Sequence, residues 1–200
     1  FRGVQEAVNA ASSGNTIDVD DGTYDEDVTI TTGSLILNGP NSGTPGDDSS
    51  RPSGEAVITD ENGRLVIEAS NTVIDGFSFE FDTSAIQSKS GNNNEIKNNR
   101  FKLTSKTSDE YAIRIGGGSP GTDVTDNFFT DIESNDGTSG DNVNTVVVTD
   151  PRGTDIKRNN FSNIDTAVNV GDKKPDAGQL TVEDNEFSNI TQFGAVLINN

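Results

Sequence analysis

One six-residue phrase recurs in this chain from residue 74 to residue 187: aliphatic, two variable residues, Asn, one variable residue, Phe. It reads "IKNNRF" from Ile96, "VTDNFF" from Val124, "IKRNNF" from Ile156 and "VEDNEF" from Val182. A fifth copy, "IDGFSF" from Ile74, keeps the aliphatic and the Phe but has Phe77 at the Asn place. The starts lie 22, 28, 32 and 26 residues apart. A unit of fixed internal spacing joined by connections of variable length marks a solenoid, in which each repeat buries its apolar side against its neighbours.

That periodicity overrules the composition. With 30% hydrophobic residues and a net charge of −19 from 33 acidic and 14 basic side chains, the 200-residue chain would read as disordered and self-repelling. The apolar residues are few but stand at fixed offsets, and a narrow, elongated core needs fewer of them than a sphere. Cys, Met, Trp and His are all absent, which removes disulfides, Cys-ligated metals and imidazole catalysis together. No stretch approaches the ~20 apolar residues of a membrane span. The acidity disfavours nucleic acid and anionic lipid as partners and suits solubility in concentrated salt. The chain opens at Phe1 without Met or a signal peptide and stops at "AVLINN" within a repeat, so it is expected to be a processed product or part of a longer chain.

Helical spacing occurs once: Val4, Ala7, Val8 and Ala11 fall at i, i+3, i+4 and i+7, with Gly14 where a helix would stop. Elsewhere the apolar residues alternate or form short runs bounded by Gly, Asn or Asp, as in Ile113 and Ile115, Val168 and Val170, "LIL" at 35–37 and "LVI" at 65–67. Short strands carrying the same side chain at the same offset predict a coil in which each turn lies on the last, about 4.8 Å away. Like residues then form columns: an inward Phe79, Phe101, Phe129, Phe161 and Phe187, and a turn-satisfying Asn99, Asn127, Asn159 and Asn185, whose carboxamides donate to the next coil and accept from the one before. Asn also tolerates left-handed backbone angles, so the same residue is expected to make the turn. Further columns are Ala85, Ala112, Thr145, Ala167 and Ala195, then Ile86, Ile113, Val146, Val168 and Val196. Since parallel crossovers are right-handed in nearly all cases, the fold class is all-β, a right-handed parallel β-helix capped by a short N-terminal helix. The single domain divides into a cap over 1–14, first coils over 15–70 with a long loop at 38–55, and repeat coils over 71–200.

The stretch "VQEAVNAASSGNTIDVDDGTYDEDVTI" from Val4, together with the NNxF repeats, resembles the pectin-lyase-like right-handed β-helix superfamily. The Thr-, Ser-, Asp- and Gly-rich composition is similar to that of surface proteins of salt-loving organisms. The resemblance covers nearly the whole chain. It implies the fold, and activities that range from polysaccharide lyases, hydrolases and epimerases to virus tail spikes, adhesins and non-catalytic surface proteins. Enzymes of the lyase and epimerase type set Ca²⁺-binding carboxylates, a Lys or Arg base, or a Tyr and His group on one outward strand face. "TDPRG" at 149–153 resembles the Asp-Pro-His motif of mannuronate epimerases but carries Arg152 in place of His, and it reads as an Asp-Pro turn leaving a strand.

The residues themselves offer four sets of candidates. The column Gly76, Asn98, Asp126, Arg158 and Asp184 sets two carboxylates about a guanidinium, a group able to hold Ca²⁺ or a uronate and abstract a proton; Asp126, Arg158 and Asp184 are the candidate catalytic residues. Asp126 and Asp184 are two coils apart, about 9.6 Å on strand spacing, at the loose edge of the separation used by inverting glycosidases. The neighbouring column, Asp75, Lys97, Thr125, Lys157 and Glu183, is expected to pair by sign between coils, Asp75 with Lys97 and Lys157 with Glu183. Asp131, Glu133, Asp136 and Asp141 form an acidic insertion and a candidate Ca²⁺ site, while "DVDDGTYDED" at 18–27 reads as a solvated acidic rim without EF-hand spacing. Asn160 and Asn189 head N-glycosylation sequons that matter only in an exported chain.

Connections of variable length flank one strand position, whose outward residues are read as Gln87, Arg114, Val147, Asn169 and Leu197. The expected function is a non-catalytic extracellular or cell-surface module that needs no cofactor and presents its loops to glycans or neighbouring subunits, with end-to-end or lateral self-assembly. The alternatives are a carbohydrate-active enzyme on anionic polysaccharide, with Ca²⁺ as its cofactor, and a virus spike that binds a receptor.

Overall fold

A computed structural model describes residues 1–60, 64–104, 111–133, 143–149, 151–171 and 180–197. After one helix the chain makes repeated circuits of three faces, each a ladder of parallel strands. The first face stacks Thr16–Asp18, Ile36–Asn38, Val73–Asp75, Glu95–Lys97, Asp123–Thr125, Asp155–Lys157 and Thr181–Glu183 in chain order. The second stacks Gly22–Asp25, Ala56–Asp60, Ser78–Phe81, Arg100–Leu103 and Phe128–Ile132. The third stacks Val28–Ile30, Leu65–Ile67, Ser84–Ser90, Tyr111–Gly118 and Asn144–Val148. In the sixth and seventh coils single strands, Asn160–Val170 and Glu186–Leu197, run unbroken from the second face onto the third. The molecule is a parallel β-helix with an N-terminal capping helix.

Side chains on the inner side of all three faces meet along the axis. Phe79, Phe101, Phe129, Phe161 and Phe187 stack with centroids 5.0, 4.8, 4.8 and 5.3 Å apart, each pair within 12° of parallel. That distance is the strand spacing, so the backbone ladder imposes face-to-face stacking, and burial of each of the first four rings contributes roughly 1.5–3 kcal/mol. The second-face register continues the column beneath Phe79 with Ile58 and then Tyr24.

The first face joins the second through links of two residues in coils three to seven: Gly76-Phe77, Asn98-Asn99, Asp126-Asn127, Arg158-Asn159 and Asp184-Asn185. At this corner the backbone leaves the ladder, and the template Asn repairs it. Asn127 Oδ1 accepts from the Asn99 N–H at 3.0 Å and from Asn99 Nδ2 at 3.2 Å. Its Nδ2 donates to the Ile96 carbonyl at 2.8 Å and to Asn159 Oδ1 at 3.0 Å. Asn159 repeats the pattern with Asn185, and Asn99 closes the column below by accepting from the Phe77 N–H.

The left-handed residue is the one before this Asn, which corrects the expectation that one Asn does both jobs. Positive φ falls on Gly76, Asn98, Asp126, Arg158 and Asp184, between 54° and 78°. The template Asn must keep an ordinary backbone to reach its neighbour coil, so the reversal passes to the preceding residue. A second left-handed column, Ser34, Asn71, Asn93, Gly121 and Gly153, turns the corner between third and first faces.

The helix Val4–Ala10 buries Val4, Ala7 and Val8 against the first coil. Gln5 imitates a further strand, its amide oxygen accepting from the Thr29 N–H and its Nε2 donating to the Thr29 carbonyl. This satisfies an edge that would otherwise invite another strand. At the other end, Val182, Phe187 and Phe193 are 37%, 41% and 55% exposed.

The register of the last coil also departs from the sequence reading. A bulge between Ile164 and Thr166 inserts one residue, so Thr166 pairs with Phe193, Val168 with Ala195, Asn169 with Val196 and Val170 with Leu197. Ala195 therefore stands opposite Val168 of the aliphatic column, and Val196, not Leu197, stands in register with Asn169. A strand slipped by one residue exchanges its two faces, and two adjacent apolar residues cannot reveal which side each takes.

Candidate functional site

The proposed catalytic column lies on the left-handed corner of the coil. Arg158 and Asp126 form a two-point ion pair, Nε to Oδ1 at 2.8 Å and Nη2 to Oδ2 at 2.6 Å. This pairing, with Asp184 nearby, keeps the Arg158 guanidinium more firmly protonated than usual, the opposite of what a proton-abstracting base needs. Asp184, in the next coil, is exposed. The three residues share one edge, but the backbone reversal already explains their column.

Beside them on the first face is an open depression of about 410 Å³ lined by Glu95, Lys97, Asp123, Thr125, Asp126, Asp155, Lys157 and Arg158. Pairing here runs mostly along single strands. Lys97 meets Glu95 at 2.7 Å and Lys157 meets Asp155 at 2.9 Å; Lys157 also reaches Glu183 in the next coil at 3.6 Å. The expected Asp75–Lys97 pair does not form. Asp75 is buried, and its Oδ1 accepts from Asn98 Nδ2 at 2.7 Å and from the Gly43 N–H at 3.1 Å. Residues two apart on a strand project to the same side, so a lysine finds its partner within its own strand.

Asp123 sits in the middle of this face without such a lysine, because Thr125 stands where its neighbouring coils carry Lys97 and Lys157. Burial, Asp155 and Glu95 push its carboxyl above the ordinary value, against a hydrogen bond from the Asp155 backbone. Asp155 is held below the ordinary value by its bonds to Lys157 and Thr181. Glu95, Asp123 and Asp155 form the column just before each leading aliphatic, which the sequence spells as plainly as the two candidate columns after it.

Of the acidic insertion, Asp131 lies in Phe128–Ile132 with φ 56°, and its Oδ1 accepts from Asn163 Nδ2 at 3.2 Å. Glu133 follows that strand, while Asp136 and Asp141 lie outside the described residues. Among the described residues no group of three or more His, Cys, Asp or Glu side chains is arranged to hold a metal ion. Of the two sequons, Asn189 is exposed, with Nδ2 donating to Asn163 Oδ1 at 2.9 Å. Asn160 is half-buried and donates to Asp47 at 3.1 Å. The rim at 18–27 contains the strand Gly22–Asp25, where burial and nearby acids raise the Tyr24 pKa.

The third face differs from the other two in its borders. Its entry connections span 82–83, 104–110 and 133–143 and vanish in the last two coils, while its exits span 91–94, 119–122, 149–154 and 171–180. Between them runs the outward row Val66, Gln87, Arg114, Val147 and Asn169. The Arg114 guanidinium lies 5.8 Å from the centre of the Tyr111 ring. Gly116 to Gly118 add a shelf without side chains. Arg64, Lys89 and Arg114 are exposed on this side, with Glu68 paired to Lys89 at 2.6 Å.

No known protein family, curated protein or solved structure matches this chain. No helix among the described residues is long and apolar enough to cross a membrane.

Proposed function

We propose that the chain is a non-catalytic β-helix module of the pectin-lyase-like type, exported to the surface of a salt-adapted cell, that engages glycans or neighbouring subunits through its third face. The observation that carries this reading is the placement of variation. The first-to-second corner keeps two-residue links through coils three to seven, whereas both borders of the third face change in length from coil to coil. Loops of changing length on an invariant frame are where binding is built. The stacked Tyr111 and Arg114, the amides of Gln87 and Asn169 and the bare glycine shelf provide a flat polar platform for a saccharide or a protein surface. Asn189 would carry a glycan, and the exposed apolar edge at Val182, Phe187 and Phe193 would support end-to-end contact.

A carbohydrate-active enzyme is the second reading, favoured by one observation: Asp123 and Asp155 occupy adjacent coils with their acidities pushed in opposite directions, as in acid and nucleophile pairs. Incubation with neutral and anionic polysaccharides, with and without Ca²⁺, separates the two. Retention on a polysaccharide that weakens in Arg114→Ala, without new reducing ends or unsaturated products, supports the binding module. Product formation abolished by Asp123→Asn or Arg158→Ala refutes it.

A further inference from the structure

In a solenoid each coil touches only its neighbours, so stability spreads by nearest-neighbour contacts. The excursion over 39–55 breaks that rule. It leaves the second coil after Ile36–Asn38 and rejoins it at Ala56–Asp60, yet its middle crosses the first-to-second corner of four later coils. In the third coil Asp75 accepts from the N–H groups of Gly39 and Gly43. In the fourth, Arg51 Nη1 donates to the Asn98 carbonyl at 2.6 Å and Arg100 Nε donates to the Gly46 carbonyl at 2.6 Å. The Gly46 N–H donates to the Asp126 carbonyl of the fifth at 2.8 Å, and Asp47 accepts from Asn160 of the sixth at 3.1 Å.

The contact is tight where it matters. The Arg51 side chain is 2% exposed, paired with Glu55 at 3.0 Å and donating also to the Thr44 carbonyl. Glu55 in turn reaches Arg100 at 3.5 Å. A methyl group on Gly46 would lie 2.4 Å from the Asn99 carbonyl oxygen and 2.6 Å from the Phe128 nitrogen, and one on Gly76 would lie 2.1 Å from the Ser42 nitrogen. Backbone therefore rests on backbone, and the excursion cannot shift along the corner without breaking bonds in several coils at once.

We infer that the 39–55 segment is an axial strap that locks the third to sixth coils into one cooperative unit and couples the Arg51 anchor to coils it does not touch. Release of the strap at Arg51 would loosen the corner that carries Asp126 and Arg158, one and two coils beyond the carbonyl it binds.

Native-state hydrogen exchange, read by mass spectrometry on the whole chain, tests this with Arg51→Met, which keeps the apolar stem and removes the guanidinium. The expected result is faster exchange by about tenfold or more, the range of a sub-global opening, in Asp123–Thr125 and Phe128–Ile132, strands of the fifth coil, which Arg51 does not contact, as well as in Glu95–Lys97. Third-face strands Ser84–Ser90 and Tyr111–Gly118 stay protected. Acceleration confined to Glu95–Lys97 and the strap itself would overturn the inference and make the strap a passive cover. Should Arg51→Met fail to fold, Asp47→Ala removes only the exposed contact to Asn160. Faster exchange reaching Asp123–Thr125 supports the coupling; a change restricted to the Asn160 strand refutes it.

Discussion

Asn127→Ala should cost far more than the loss of one polar side chain suggests. The residue is 1% exposed and its carboxamide makes four hydrogen bonds across three coils. Removing it strands the buried Asn99 N–H, at about 1–3 kcal/mol for an unsatisfied donor, and gives up the other bonds at a net 0.5–1.5 kcal/mol or so each. Asn99 Nδ2 keeps the Ile74 carbonyl, and Asn159 Oδ1 keeps the Asn127 N–H, so those groups are not orphaned. The sum is about 3–5 kcal/mol, a large share of the stability of an ordinary domain. Asn185→Ala is the internal control, because the last ladder residue is only partly buried and water can reach what it leaves behind; about 1–2 kcal/mol is expected there. Asn127→Asp adds a sign test. A buried carboxylate accepts from Asn99 but cannot donate to Ile96, and burial raises its folded-state pKa above the unfolded value. The variant should therefore regain stability as pH falls through that raised value. Urea melts followed by circular dichroism, with hydrogen exchange to report on single coils, give all three numbers. A cost below about 1 kcal/mol for Asn127→Ala, or equality with Asn185→Ala, would refute the ladder as a source of stability.

Three shorter expectations follow from the same geometry. Thr154→Val should be neutral or stabilising by up to about 1 kcal/mol in a urea melt, since Thr154 Oγ1 is fully buried without a hydrogen-bond partner and an apolar isostere removes the unmet demand. Arg158→Gly should change stability by less than ~1 kcal/mol, because relief at a left-handed residue offsets the loss of an exposed ion pair; a larger loss would show that the Asp126 pair is structural. Asp123 and Asp155 should act in opposite directions in a pH titration of stability. Asp123, raised in the fold, contributes stability fully present below its unfolded value near 3.8 and lost as pH climbs through the folded value; Asp155, lowered, contributes stability present above 3.8 and lost as pH falls through its folded value. Asp123→Asn should abolish the first limb and leave the second.

The repeating phrase by itself determined the coil, the Phe stack and the Asn ladder, because stacking makes every coil solve the same problem with the same residue at the same offset. The capping helix was equally legible, from apolar residues three and four apart ahead of the first strand. Only the tertiary structure decided which residue reverses the chain, since Gly76, Asn98, Asp126 and Arg158 share no chemistry and are united by backbone angle alone. It also decided that Lys97 turns to Glu95 and not to Asp75, that the last coil slips by one residue, and that a Gly- and Ser-rich excursion is a strap with a buried arginine. Backbone angle and the choice between two nearby acids are not spelled by residue type, while the slip and the strap depend on contacts made once, and an interaction that does not repeat leaves no period in the sequence to find.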